Sequence, residues 1–133
     1  MVKKILIIDD DLDFIEACQN MLEAVDYEVE SEHRRDRVIA KIGEFCPDLI
    51  LLDILMDNQL AGFEIAAHLC RDKKKSSIAI IFLTGYFMRT GLRELQNEII
   101  LKWPSVRFVL DKPVRPAKLL ETIRQLDVEE EQA

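Results

Sequence analysis

Apolar runs that stop abruptly at a polar residue constrain this chain more than any other feature. Ile5-Leu6-Ile7-Ile8 ends in Asp9-Asp10-Asp11, Leu49-Ile50-Leu51-Leu52 ends at Asp53, and Ile78-Ala79-Ile80-Ile81-Phe82-Leu83 ends at Thr84-Gly85. Val106-Arg107-Phe108-Val109-Leu110 follows the same pattern shortly before Lys112. Apolar runs of four to six residues read as strands buried on both faces, which is the condition of strands in parallel sheets. Tyr27-Glu28-Val29-Glu30 alternates instead, as a half-buried edge strand does.

Helical spacing fills the intervals. Phe14, Cys18, Met21, Leu22 and Val25 form one stripe after Asp11, with acidic residues in the first turn where the helix dipole favours them. A second helix from about Asp36 carries Val38, Ile39, Ile42 and Phe45 and stops before Pro47, and a third spans roughly Gly62 to Asp72. Leu92, Leu95 and Ile99 mark a long helical stretch closed by Trp103-Pro104, and Pro116 opens a last helix with Leu119, Leu120, Ile123 and Leu126 inward. Strands alternating with helices over short connections must pair in parallel through right-handed crossovers. The expectation is one doubly wound α/β domain over residues 1–127, followed by a frayed acidic tail over 128–133.

Composition narrows the function. The 133 residues carry 18 Lys and Arg against 25 Asp and Glu, a net charge of −7, which is the wrong sign for gripping nucleic-acid backbones. Cys18, Cys46 and Cys70 show no CxxC spacing, so neither a disulfide framework nor a zinc site is indicated, and a reducing cytoplasm fits best. No apolar run approaches the ~20 residues of a membrane helix.

In doubly wound sheets the ligand crevice lies at the carboxyl ends of the strands. That edge gathers Asp9, Asp10, Asp53, Thr84 and Lys112. Unit charges ~4 Å apart repel by roughly 4 kcal/mol at an effective dielectric near 20, so clustered carboxylates require protonation or a cation. Mg²⁺, a hard ion that keeps several waters, suits such a site. Asp53 is placed to attack a phosphoryl group, with the metal, Lys112 and Thr84 neutralising the transferring oxygens.

Ile7-Ile8-Asp9-Asp10, Leu51-Leu52-Asp53, Leu83-Thr84-Gly85 and Asp111-Lys112-Pro113, in this order, resemble the receiver domain of bacterial two-component response regulators over nearly the whole chain. The resemblance, to chemotaxis-regulator-like proteins, implies a flavodoxin-like sheet of order 2-1-3-4-5 with helices on both faces. It implies that Asp53 is the phosphoacceptor, that Asp9, Asp10, Asp53 and the Leu55 carbonyl hold Mg²⁺, that Thr84 binds the phosphoryl group and that Lys112 bridges to it. The donor would be a phosphohistidine on a histidine kinase or histidine phosphotransfer protein. Output would pass to an effector protein or a homodimer through helix 4, strand 5 and helix 5.

Three departures from that pattern stand out. Asp57 replaces a proline usual after the phosphoacceptor, and Gly62 arrives one residue late. The interval from Thr84 to Lys112 is several residues longer than usual. The position three before Lys112, commonly Tyr or Phe, is Val109, with Phe108 beside it. Either Phe108 reaches the site through a bulge or Val109 takes the switch position, Phe108 then being a core residue. Leu55 and Tyr86 would flank the path of a hydrolytic water, and their bulk predicts a long-lived aspartyl-phosphate. His33 and His68 lack ligand partners at metal spacing, and Arg71-Asp72-Lys73-Lys74-Lys75 reads as a solvated helix end. Two other functions compete: a receiver-like docking module without phosphorylation, and a haloacid-dehalogenase-like phosphatase built on Asp9-Asp10-Asp11. Leu12-Asp13 stands where the latter expects Gly-Thr.

Overall fold

The apolar runs form the strands β1 Lys4–Ile8, β3 Leu49–Leu52, β4 Ala79–Thr84 and β5 Val106–Asp111, with β2 at Glu28–Glu32. The computed structural model describes residues 1–56, 59–85 and 96–132. All four strand pairs are parallel, and the sheet runs β2-β1-β3-β4-β5. Every residue of β3 and β4 is buried, as strands covered on both faces require. At the edge of the sheet, β2 exposes Glu28 and buries Val29 and Glu32.

Helices cover both faces. One core layer joins Ile5, Ile7, Leu49, Leu51, Ile81 and Leu83 to α1 (Leu12–Glu23) and to the last helix, α5 (Pro116–Gln132). The opposite layer joins Leu6, Ile8, Ile50, Leu52, Ile80 and Phe82 to α2 (Val38–Phe45), α3 (Ala61–Arg71) and α4 (Gln96–Lys102). The alternation along each strand thus sends successive side chains to the two layers.

Local differences from the sequence reading have local causes. The second helix begins as a 3₁₀ turn over Arg35–Arg37 before α2 proper, and it ends as expected, with Cys46 in the left-handed region at φ 53° ahead of Pro47. Val25 lies beyond the end of α1 and is 38% exposed, so it leaves the apolar stripe. Leu119, Ile123 and Leu126 are buried. The tail expected to fray from residue 128 is instead helical through Gln132; at its root Val2 N–H donates to Asp127, and Arg107 pairs with Glu129 at 2.5 Å. Leu92 and Leu95, assigned to the fourth helix, lie outside the described residues.

A bulge sets the facing of β5. Ile80 pairs with Val106 but Ile81 pairs with Phe108, so Arg107 is the extra residue. Val106 and Val109, three apart, therefore share the layer beneath α3 and α4, while Phe108 and Leu110 turn to the layer beneath α1 and α5. The bulge does not carry Phe108 to the face of Val109. Phe108 packs as a partly buried core residue, and Val109, 9% exposed, takes the inward position three before Lys112.

Candidate functional site

The ends of β1, β3, β4 and β5 deliver the functional side chains. After β1, Asp9 is buried at 1% exposure while Asp10 is exposed. Asp9 Oδ1 accepts the backbone N–H of Asp11 at 3.0 Å, and Asp11 in turn caps α1 by accepting from Phe14 N–H at 3.2 Å. After β3, Asp53 accepts the Leu55 N–H on Oδ1 at 3.2 Å. Thr84 ends β4 buried, and its carbonyl accepts from Lys112 N–H at 3.0 Å, which ties the lysine to the next strand end. The Lys112-Pro113 peptide bond is cis.

These groups converge. Ligand oxygens of Asp9, Asp10 and Asp53 all lie within 4.8 Å of one another. Lys112 Nζ sits 2.5 Å from Asp9 Oδ2 and 3.7 Å from Asp53 Oδ2. The same ammonium lies 4.1 Å from the centroid of the Phe14 ring, so an aromatic face supports it from the α1 side. Asp9, Asp10, Asp11, Asp53, Leu55, Thr84, Gly85 and Lys112 line one cavity of about 320 Å³. Phe14 was assigned only to the core stripe of its helix, since no spacing rule places it under a lysine 98 positions away.

The electrostatics follow from crowding. Burial, with the neighbouring charge of Asp9, raises Asp53 from 3.8 to about 6 against the opposing effects of Lys112, the Leu55 N–H and a hydrogen bond from Thr84. Burial also raises Asp9, and its contact with Lys112 opposes that rise. Four carboxylates and one ammonium line the cavity among the described residues, and all the donors are hard oxygens. The set fits a divalent cation such as Mg²⁺.

The glycine that seemed late is where the backbone needs it. Gly62, in the first turn of α3, donates its N–H to Ile54 C=O at 2.9 Å, and a Cβ there would stand 2.5 Å from both Asp53 O and Ile54 Cα. Alanine would gain roughly 1 kcal/mol in helix propensity but would drive a methyl into backbone, and overpacking typically costs 1–3 kcal/mol. Gly62→Ala is expected to be net destabilising in urea unfolding and to shift the Asp53 and Ile54 amide resonances. Between the two segments, Met56 and Gln59 pair in antiparallel fashion. Asp57 and Tyr86 lie outside the described residues.

The sheet order and this pocket coincide with a known family. Residues 5–124 match the family described as the response regulator receiver domain. The chain belongs to that family. This receiver is 30% identical to PilH of Pseudomonas aeruginosa over 120 residues, which span 90% of this chain and 93% of PilH. It is 40% identical over 86 residues to the nisin biosynthesis regulatory protein NisR of Lactococcus lactis, covering 64% of this chain but 35% of NisR. Among solved structures, a CheY-like receiver domain protein of Methanospirillum hungatei superposes with a TM-score of 0.81 at 30% identity, with 100% of both chains covered. The chemotaxis response regulator CheY4 of Vibrio cholerae gives a TM-score of 0.77 at 22% identity over 94% of this chain and 98% of CheY4. Family membership replaces the haloacid-dehalogenase reading, and Asp11, its third acidic position, serves as a helix cap. Receiver domains act as signalling switches. Among the described residues no helix is long and apolar enough to cross a membrane.

Proposed function

We propose that this receiver accepts a phosphoryl group on Asp53 from a phosphohistidine of a histidine kinase or phosphotransfer protein in the cytoplasm, and passes the signal to a partner by changing its surface. The observation that carries the reading is the convergence of three carboxylates, Lys112 and Thr84 on one cavity. In the transfer, a carboxylate oxygen of Asp53 forms the new O–P bond as the donor P–N bond breaks, and the imidazole leaves with the electron pair. Lys112 and the Thr84 hydroxyl stabilise charge on the transferring oxygens. Asp9, Asp10, Asp53 and the Leu55 carbonyl would hold Mg²⁺, which when bound offsets the negative charge of acceptor and phosphoryl group together.

The acyl phosphate carries about −1.5 to −2 charge in place of the carboxylate's −1 beside Thr84 and Lys112, which biases an existing equilibrium of the β4 and β5 ends. Val109 lacks the ring through which related receivers report Thr movement, so signalling here rests on Thr84 and Lys112 themselves. The α4, β5 and α5 surface is the output face in this reading, toward an effector protein or a second copy of the chain.

Incubation with acetyl phosphate and Mg²⁺ is expected to add one phosphoryl mass per chain, mapped to Asp53. Absence of the adduct, under conditions that label another receiver, would favour a domain that works by docking alone. Leu55 lines the cavity beside Asp53, and its side chain has no polar group to orient water. The adduct should therefore persist for minutes after the donor is removed with Mg²⁺ present, and loss within seconds would overturn that assignment.

A further inference from the structure

The turn after β2 carries His33-Arg34-Arg35-Asp36-Arg37, three guanidinium groups in four positions of a chain whose net charge is −7. Glu32 holds this turn from beneath. Its Oε2 accepts the backbone N–H groups of His33 and Arg34 at 3.1 Å each, and its Oε1 lies 3.6 Å from Arg37 Nε. Glu32 therefore offsets Arg37 and leaves the other two arginines to different partners. Arg35 donates to the side chain of Gln59, a neutral group on the loop after β3, so its charge is not cancelled there. Arg34 Nη2 pairs with Asp36 Oδ2 at 2.9 Å, but the two side chains are 59% and 69% exposed, and such a pair yields readily to a competing anion.

His33, Arg34, Arg35, Asp36 and Asp10 surround a cavity of about 400 Å³. Asp10 also walls the carboxylate cavity that contains Asp53. The two spaces thus meet across a single side chain. A small phosphorylated anion approaching Asp53 is repelled by the net charge of the chain, yet screening confines that repulsion to roughly 8 Å at physiological salt, so the nearest charges decide its path. Guanidinium groups are the side chains best shaped to take phosphoryl oxygens in pairs.

We propose that Arg34 and Arg35 form a capture subsite for small dianionic acyl phosphates, beside the phosphoacceptor cavity and separated from it by Asp10. The subsite holds the donor's phosphoryl oxygens before transfer. In the step that follows, an Asp53 oxygen forms the O–P bond, the donor's own O–P bond breaks, and its carboxylate leaves with the electron pair. This inference rests on Asp53 being the phosphoacceptor.

The test compares the full chain with Arg34→Gln/Arg35→Gln, and with Lys73→Gln/Lys74→Gln, a control that removes the same charge from the exposed turn after α3. Rates of phosphoryl uptake with Mg²⁺ are read by intact mass, using acetyl phosphate and the less charged phosphoramidate. The arginine variant is expected to lose about tenfold with acetyl phosphate at low ionic strength and under about twofold in ~0.5 M salt. Its loss with phosphoramidate should be smaller, and the lysine variant should match the parent. Inorganic phosphate titrated into the metal-free chain should shift the Arg34 and Arg35 Nε–Hε resonances before others. Equal losses with both donors, no loss, or an equal effect of the lysine control would overturn the subsite while leaving Asp53 as acceptor. A parent chain that takes phosphoryl from neither donor would overturn the acceptor reading and this inference with it.

Discussion

Asp53→Asn is expected to abolish phosphoryl uptake and, at the same time, to make the metal-free domain more stable. The amide cannot form the acyl phosphate, so the mass adduct should vanish. The stability gain comes from charge. Asp53 is held at about 6 against an ordinary 3.8 because burial and the charge of Asp9 disfavour its ionised form. Between those two values the folded chain keeps a proton that the unfolded chain has released, so stability falls as pH rises through that window, and the whole loss is present above about pH 6. A rise from 3.8 to about 6 corresponds to up to about 3 kcal/mol. Asparagine removes most of that loss at pH 7 while still able to accept the Leu55 N–H. Urea unfolding without metal should show a gain of roughly 1–3 kcal/mol, and a flatter fall in stability between pH 4 and 7. Mg²⁺ should stabilise the parent chain more than the variant. A variant no more stable than the parent at pH 7 would mean that the carboxylates are not crowded in solution.

The strands and the strand-end residues were legible because both follow from local patterns. Ile5-Leu6-Ile7-Ile8 and Leu49-Ile50-Leu51-Leu52 have no polar face, so they must be covered on both sides, and the residue that ends such a run must lie at the sheet's carboxyl edge. Features that depend on contacts between distant segments were not legible. Val106-Arg107-Phe108-Val109-Leu110 is compatible with either facing, and only the offset pairing with Ile80 and Ile81 places the bulge at Arg107 and turns Val109 inward. Gly62 looked misplaced by counting from Asp53, yet the spacing matters less than the 2.5 Å approach of its missing Cβ to the Asp53 and Ile54 backbone. Phe14 beneath Lys112, and Gln59 beside Arg35, likewise join residues that no periodicity relates.

Lys112→Met is expected to be the most destabilising single change at this end of the sheet. Asp9 is 2% exposed in its side chain, and Lys112 Nζ at 2.5 Å is the cation that offsets its charge. Methionine keeps much of the contact with Phe14 but leaves Asp9, Asp10 and Asp53 mutually repelling within 4.8 Å. Removing one partner of a buried ion pair typically costs 3–5 kcal/mol, a large fraction of the 5–15 kcal/mol that holds a domain folded. Without the lysine the folded-state value of Asp9, already raised by burial, rises further. The loss should therefore be complete above that raised value and should shrink as acid protonates Asp9. Saturating Mg²⁺ should restore part of the stability, because it supplies the missing positive charge. The half-exposed pair of Arg107 with Glu129, remote from the carboxylate cavity, gives the contrast: Arg107→Met should cost about 1 kcal/mol or less and respond to neither acid nor Mg²⁺ in this way. Denaturant midpoints of the two variants at pH 5 and pH 7.5, with and without Mg²⁺, decide the matter. A Lys112→Met loss of the Arg107→Met size at pH 7.5 would show that Asp9 does not depend on the lysine.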